Sequence, residues 1–312
     1  MSAQLFAGRN VKRGFVLLAS ALLFSSVVLC ALAGGKGNQN PGVLPPNSRI
    51  AGLTYGEWGA EWWQWLLAIP ATDAQGNITN PILATGDVDL SMAQPAGDVW
   101  YLTGAIQFTP IEVSPGVFEA TVERSGQVPA GKKLFFPLLN GEWDNIGLPD
   151  GDFTIAELAA MLAESIDAGE PYAIIDGVPV AGLNAYRAAF PGAFTYQLPD
   201  AVPPARNIYQ YLLGDPSDPL NFWNYAVGPI SENPAYNPAE PATPPDGGNC
   251  PFLFSNDPVP AVSDGYWLML TPLPVGQHTI EFGGTMPWIT PAGPGTFTIQ
   301  IKYTIDVVPG AK

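Results

Sequence analysis

Glu142 and Asp144, two acids one residue apart, are the residues best placed to do chemistry in this chain. They lie in Asn140-Gly-Glu-Trp-Asp-Asn145, directly after an apolar run that reads as a strand, and strand-end loops are where a rigid scaffold presents catalytic groups. Paired carboxylates divide acid and base roles when their surroundings split their pKa values, as in glycoside hydrolysis. His278, the single histidine, is the base that a Ser-His-Asp hydrolase would need, so Glu142, Asp144 and His278 form the candidate catalytic set. Against it, no Gly-x-Ser-x-Gly elbow offers a nucleophile. Strand parity also puts His278 beside Ile280 and Phe282, which predicts a histidine at the rim of the core, hydrogen-bonded to backbone. Glu57 and Glu61, one helical turn apart, read as solvated acids on a wet helix face.

The same acidic loop suits a hard cation. Asn140, Glu142, Asp144, Asn145, Asp150 and Asp152 bring six oxygen-bearing side chains into 13 residues, and Ca²⁺ takes six to eight such ligands. Glu142, Asp144, Asp150 and Asp152 are the candidate calcium ligands, although the spacing is not that of an EF-hand and Asn, Asp and Gly also dominate ordinary turns. One His and, once residues 1–33 are set aside, one Cys cannot build a usual transition-metal set, and no phosphate-cradling glycine loop points to a nucleotide cofactor. For ligand contact the candidates are Trp63, Trp143 and Arg187. Trp63 falls off the main aromatic stripe of its helix and is the tryptophan expected to be accessible, while Arg187 either forks onto a carboxylate or clamps an anion.

The elements that would position these groups are legible from period and punctuation. Residues from Tyr55 to Ile69 repeat aromatics at helical spacing, with Thr54 as N-cap and Glu57 three residues on, a capping box. Thr154 and Glu157 repeat that signature for a second helix, Thr154 to Asp167, stopped by Gly169. Val99 to Phe108, Val117 to Glu123 and Leu134 to Leu139 read as strands. Asp176-Gly177 between apolar pairs predicts a type I′ hairpin, and Pro179 puts its return strand at an edge. Thr296 to Val307 alternates apolar and polar residues without error, and Tyr266 to Leu270 is continuously apolar, as in the middle of a sheet. Gly214 to Ala261 shows many prolines and no periodicity and is read as a surface excursion.

Three blocks, Tyr55-Gly-Glu-Trp-x-Ala-x-Trp-Trp-Gln-Trp, Val128-Pro-Ala-Gly-Lys-x-Leu-Phe-Phe-Pro137 and Asp264-Gly-Tyr-Trp-x-Met-Leu-x-Pro-Leu-Pro-x-Gly-x-His278-Thr-Ile, resemble those of a family of secreted bacterial proteins with no assigned activity. Ile175-Asp-Gly-Val-Pro-Val180 and Tyr186-Arg187 fit the same pattern. The resemblance implies bacterial export and one β-rich domain, with the excursion as an insertion relative to shorter members, and it assigns no catalytic role.

Composition sets the outer bounds. Arg9, Lys12 and Arg13 precede an apolar run from Gly14 to Leu29, and Ala31-Leu32-Ala33 supplies the small residues of a signal-peptidase site. Residues 1–33 therefore read as a signal peptide, with a lipid anchor at Cys30 or an uncleaved anchor as rivals, and 34–48 as a flexible leader. Removing three positive charges takes the net charge from −16 to −19, and only Cys250 remains of the two cysteines, so no internal disulfide can form. Twelve cations against 28 acids exclude a nucleic-acid binder. The 34 Gly and 34 Pro are the corners of a β protein rather than disorder, since aromatics are abundant. The expected fold is a mainly antiparallel β-sandwich of jelly-roll type spanning 49–312, carrying a tryptophan-rich helix and one further helix. The expected function is an exported, acidic, non-catalytic binding or cell-envelope protein without an obligate cofactor or a membrane span after cleavage, with a glycan as the first partner considered. A secreted hydrolase of an extracellular polymer and a structural surface component are the alternatives.

Overall fold

A computed structural model describes residues 40, 42–106, 108–145, 153–199, 205–213, 258–290 and 293–310. The described chain is mainly β, with two sheets and two well-formed amphipathic helices. The signal peptide, Asp150, Asp152, Cys250 and most of the expected excursion lie outside the described residues.

The larger sheet runs in the order β1 (Gly86–Asp87), β4 (Val117–Pro129), β11 (Gly293–Val308), β10 (Gly276–Thr290), β6 (Glu170–Ile175), β7 (Val178–Pro179), with β3 (Ile111–Ser114) paired to β4. The smaller sheet is β2 (Val99–Tyr101), β5 (Lys133–Trp143), β9 (Val259–Leu270) and β8 (Phe194–Tyr196). Most pairings are antiparallel, but β4 runs parallel to β11 from Val117↔Thr296 to Pro129↔Val308, joining strands far apart in sequence. The alternation read from Thr296 to Val307 is the register of β11: Phe297, Ile299, Ile301, Tyr303, Ile305 and Val307 are all buried. The β6–β7 turn has Asp176 at φ 48° and Gly177 at φ 77°, the positive pair that a type I′ turn demands.

The two sheets pack face to face through Phe136 and Phe282, whose rings are 4.8 Å apart. The far face of the smaller sheet is covered by α1 (Tyr55–Leu67). Both predicted capping boxes form, Thr54 with Glu57 and Thr154 with Glu157, and start α1 and α2 (Ile155–Asp167) where the sequence placed them. Alternate residues of β5 and β9 therefore meet different partners. Phe135 and Trp267 stack at 5.3 Å beneath α1, and Phe136 turns inward to the larger sheet. That is why both strands are apolar nearly throughout.

Four expectations are corrected. Val99 to Phe108 is a strand only to Tyr101, because the backbone N–H of Thr103 leaves the sheet for the Tyr303 hydroxyl. The strands of the Val117 and Leu134 runs extend further, to Pro129 and Trp143. The excursion ends before Val259, since Val259, Pro260 and Ala261 already pair with β8. The leader is docked in part: Val43 is buried and bridges Leu270, and Leu44 donates to the Met269 carbonyl. Two apolar residues between turn-forming neighbours suffice to cap the end of β9. Among the described residues no helix is long and apolar enough to cross a membrane.

Gly283 sits mid-strand in β10 at φ +152°, where an added Cβ would run into the Ile299 carbonyl. Gly131 also has positive φ, +90°, but nothing within 4 Å of a Cβ position. Gly283→Ala should lower stability in urea unfolding by at least about 2 kcal/mol, and Gly131→Ala by only about 1 kcal/mol. Equal losses would contradict this packing of β10 on β11.

Candidate functional site

Glu142 and Asp144 do come together, but inside the protein. Both project from β5 toward the face that carries Ser263 of β9, and their exposures are 1% and 0%. Two tyrosines close over them. Tyr196 of β8 donates its hydroxyl to Asp144 Oδ2 at 2.6 Å. Tyr209 of α3 (Ile208–Leu213) donates to the same oxygen at 2.9 Å and lies 3.3 Å from Glu142 Oε2. Each phenol has one proton to give, so Asp144 is the acceptor of both, and the contact from Tyr209 to Glu142 is satisfied when Glu142 carries a proton. Burial holds the Glu142 carboxyl well above its ordinary range, and Asp144, as a nearby charge and hydrogen-bond partner, raises it further. Burial pushes both tyrosines up and the two acids add to it; the neighbouring phenol raises Tyr196 further but, through its hydrogen bond, lowers Tyr209.

His278 stands apart from this cluster. Its Nδ1 is 2.7 Å from Asp176 Oδ2 at the β6–β7 turn, and its Nε2 is 2.9 Å from the Pro274 carbonyl oxygen. Burial lowers its pKa, but those two hydrogen bonds and the Asp176 charge outweigh burial and leave it raised. It is the rim histidine that parity predicts, with a carboxylate partner that the hairpin signal did not reveal. The three-residue catalytic set is therefore corrected to a two-carboxylate cluster without its histidine.

The expected ligand contacts also move. Trp63 is not the accessible tryptophan: it is 5% exposed, because the buried face of α1 is wide and includes Gly56, Ala60, Trp63 and Leu67 beside Tyr55, Gly59, Trp62 and Leu66. The helix lies so close to β9 that a Cβ at Gly59 would sit 2.9 Å from the Trp267 ring. Trp143 is buried as well. Arg187 makes the structural fork, not an anion clamp: Nη2 meets Asp264 Oδ2 at 2.7 Å, Nη1 pairs with Asp167, and Nη2 also donates to the Ala163 carbonyl. Of the calcium ligands, Glu142 and Asp144 face two phenols, and Asp150 and Asp152 lie outside the described residues. Asn145, another expected oxygen donor, instead clasps the backbone of Phe153 through both ends of its amide. Among the described residues no group of three or more His, Cys, Asp or Glu is placed to hold a metal ion.

The site that sequence reasoning missed is apolar. The register of β5 with β9 shifts between Pro137 and Leu139, an irregularity at a proline that cannot donate to the ladder. A cavity of about 310 Å³ lies between the two sheets there, walled by Leu138, Leu139, Leu162, Ile166, Ile299 and Ile301. Phe108, Phe297 and Trp288 form an aromatic wall, with Phe108 stacked on Phe297 at 5.0 Å and Trp288 at 5.1 Å from Phe297. Gly104 and Ala105 contribute no bulk. The one available signal was the proline inside an otherwise continuous apolar strand.

Compared with protein-family models, curated proteins and solved structures, the chain matches none. What the sites do must follow from their geometry.

The acid–tyrosine cluster makes stability pH-dependent with a definite sign. Glu142 is raised above 4.5, so its contribution is fully present below the unfolded value and is lost as pH rises toward the folded one. Glu142→Gln, which mimics the protonated form, should match the wild type at pH 4 and become the more stable protein as pH climbs to 8. The gap should widen by up to about 1.4 kcal/mol per unit within that window. Parallel stability curves for the two proteins would contradict a protonated Glu142.

Proposed function

We propose that this is an exported, non-catalytic binding protein of the cell envelope or extracellular space that holds a small hydrophobic molecule between its two sheets. The observation that carries the proposal is the apolar cavity beside Pro137, whose volume of about 310 Å³ lies at the lower end of the range of small-molecule sites. Its walls come from β5, β10, β11, α2 and the loop that follows β2. Its apolar walls have few partner atoms across the space, so a filled state gains contacts that the empty one lacks. Export rests on the basic, apolar and small-residue order of the first 33 residues, and the acidic surface suits a dispersed exported protein.

A glycan platform and a hydrolase find less support. Eight tryptophans are described, and each is buried or half-buried, so no open indole platform for a sugar stands among them. The acids that a hydrolase would use are enclosed by tyrosines, and His278 is engaged elsewhere.

The neutral dye N-phenyl-1-naphthylamine should bind the protein with a rise and blue shift of its emission. Ala105→Trp, which fills the cavity from a half-buried loop position, should weaken binding at least about tenfold, equivalent to about 1.4 kcal/mol, with the unfolding midpoint preserved. Unchanged dye affinity in that variant would place the dye elsewhere and defeat the proposal.

A further inference from the structure

Resting on that reading of the cavity, we infer that its ligand is an uncharged, ring-containing molecule of about two fused rings, and that the site discriminates against carboxylates. Size follows from volume. A cavity of about 150 Å³ lined by aliphatic and aromatic side chains takes one benzene ring, and this one, at about 310 Å³, is twice that. Shape follows from the walls: Phe108 and Phe297 stack with their planes 18° apart, and Trp288 leans on Phe297 at 38°, so one side of the cavity is a packed aromatic cluster suited to ring contacts. A long flexible chain would use such a wall poorly.

Charge follows from what lines and flanks the space. Among the described lining residues there is no Lys, Arg, Asp or Glu, and the polar side chains there are Asn140 and Ser165. The flanking charges are negative: Glu164 precedes Ser165, Asp167 follows Ile166, and Glu170 follows Gly169, all three exposed. Arg187 is a cation near this end of α2, and its fork is engaged by Asp264, Asp167 and the Ala163 carbonyl. A carboxylate entering this cavity would lose its hydration without gaining a counter-ion and would approach past like charges. A hydroxyl or ring nitrogen has only a hydrogen bond to satisfy, and Ser165 can supply it.

The test compares 1-naphthol with 1-naphthoate at pH 7, which share the ring system and differ in charge, by tryptophan fluorescence titration of the wild type. 1-Naphthol should bind and 1-naphthoate should bind at least about 100-fold more weakly. Affinities within threefold of each other, with N-phenyl-1-naphthylamine still displaced, would overturn the selectivity while leaving a binding cavity in place. Failure of both compounds to bind or to displace the dye would overturn the cavity reading itself. The Glu164→Lys/Glu170→Lys double variant provides the charge control, because both residues are exposed and flank the cavity without being among its lining residues. It should improve 1-naphthoate binding at least tenfold and leave 1-naphthol within threefold; improvement of neither or of both alike would show that charge is not what the site reads.

Discussion

The stack of Trp267 on Phe135, held beneath Trp62 of α1, is the contact on which the rest of the structure depends. The β5–β9 pair is apolar on both faces, so it is stable only if something covers each of them. Tyr55, Trp58 and Trp62 supply one cover and Phe282 of the larger sheet the other. An aromatic side chain buried in this way contributes roughly 3 kcal/mol or more, which exceeds anything a single surface ion pair can give. The fold is therefore a three-layer arrangement at its centre, helix on sheet on sheet, even though its two sheets alone make a sandwich.

Two interiors follow from that layering, and they differ in chemistry. On the helix face of β5, past the aromatic stack, Glu142 and Asp144 meet Tyr196 and Tyr209. A polar cluster in an apolar layer persists only when its protons are apportioned among its members, and one proton on Glu142 apportions them here. Its consequence is a preference for lower pH and a tie from α3 to the small sheet. On the inner face, the cavity lies beside the register shift at Pro137, and small residues at Gly104, Ala105 and Gly141 leave the space open. The same strand thus carries a closed acid cluster and an open apolar cavity on opposite sides.

What was legible in the sequence was local. Thr54–Glu57, Thr154–Glu157 and Asp176-Gly177 each fix a few dihedrals through neighbours in sequence, and each forms as predicted. The alternation of β11 is similarly a property of one strand. The parallel pairing of β4 with β11 has no local signature, because neither strand's pattern specifies its partner. Trp63 was misplaced for a related reason: an aromatic stripe defines one buried face, but Gly56 and Gly59 bring the helix so near to its neighbours that a wider face is covered. Glu142 and Asp144 were correctly singled out as neighbours, yet their tyrosine partners come from β8 and α3, and only tertiary packing brings those over them.

The central claim is that the space beside Pro137 is a binding site. Methyl-labelled protein with bound N-phenyl-1-naphthylamine, observed by intermolecular nuclear Overhauser effects, tests it most directly. The account predicts contacts from the dye to the methyl groups of Leu162, Ile299 and Ile301, which line the cavity. Contacts instead to Ile111 and Val113, which are 64% and 53% exposed on β3, would mean that the dye adheres to the surface and would contradict it.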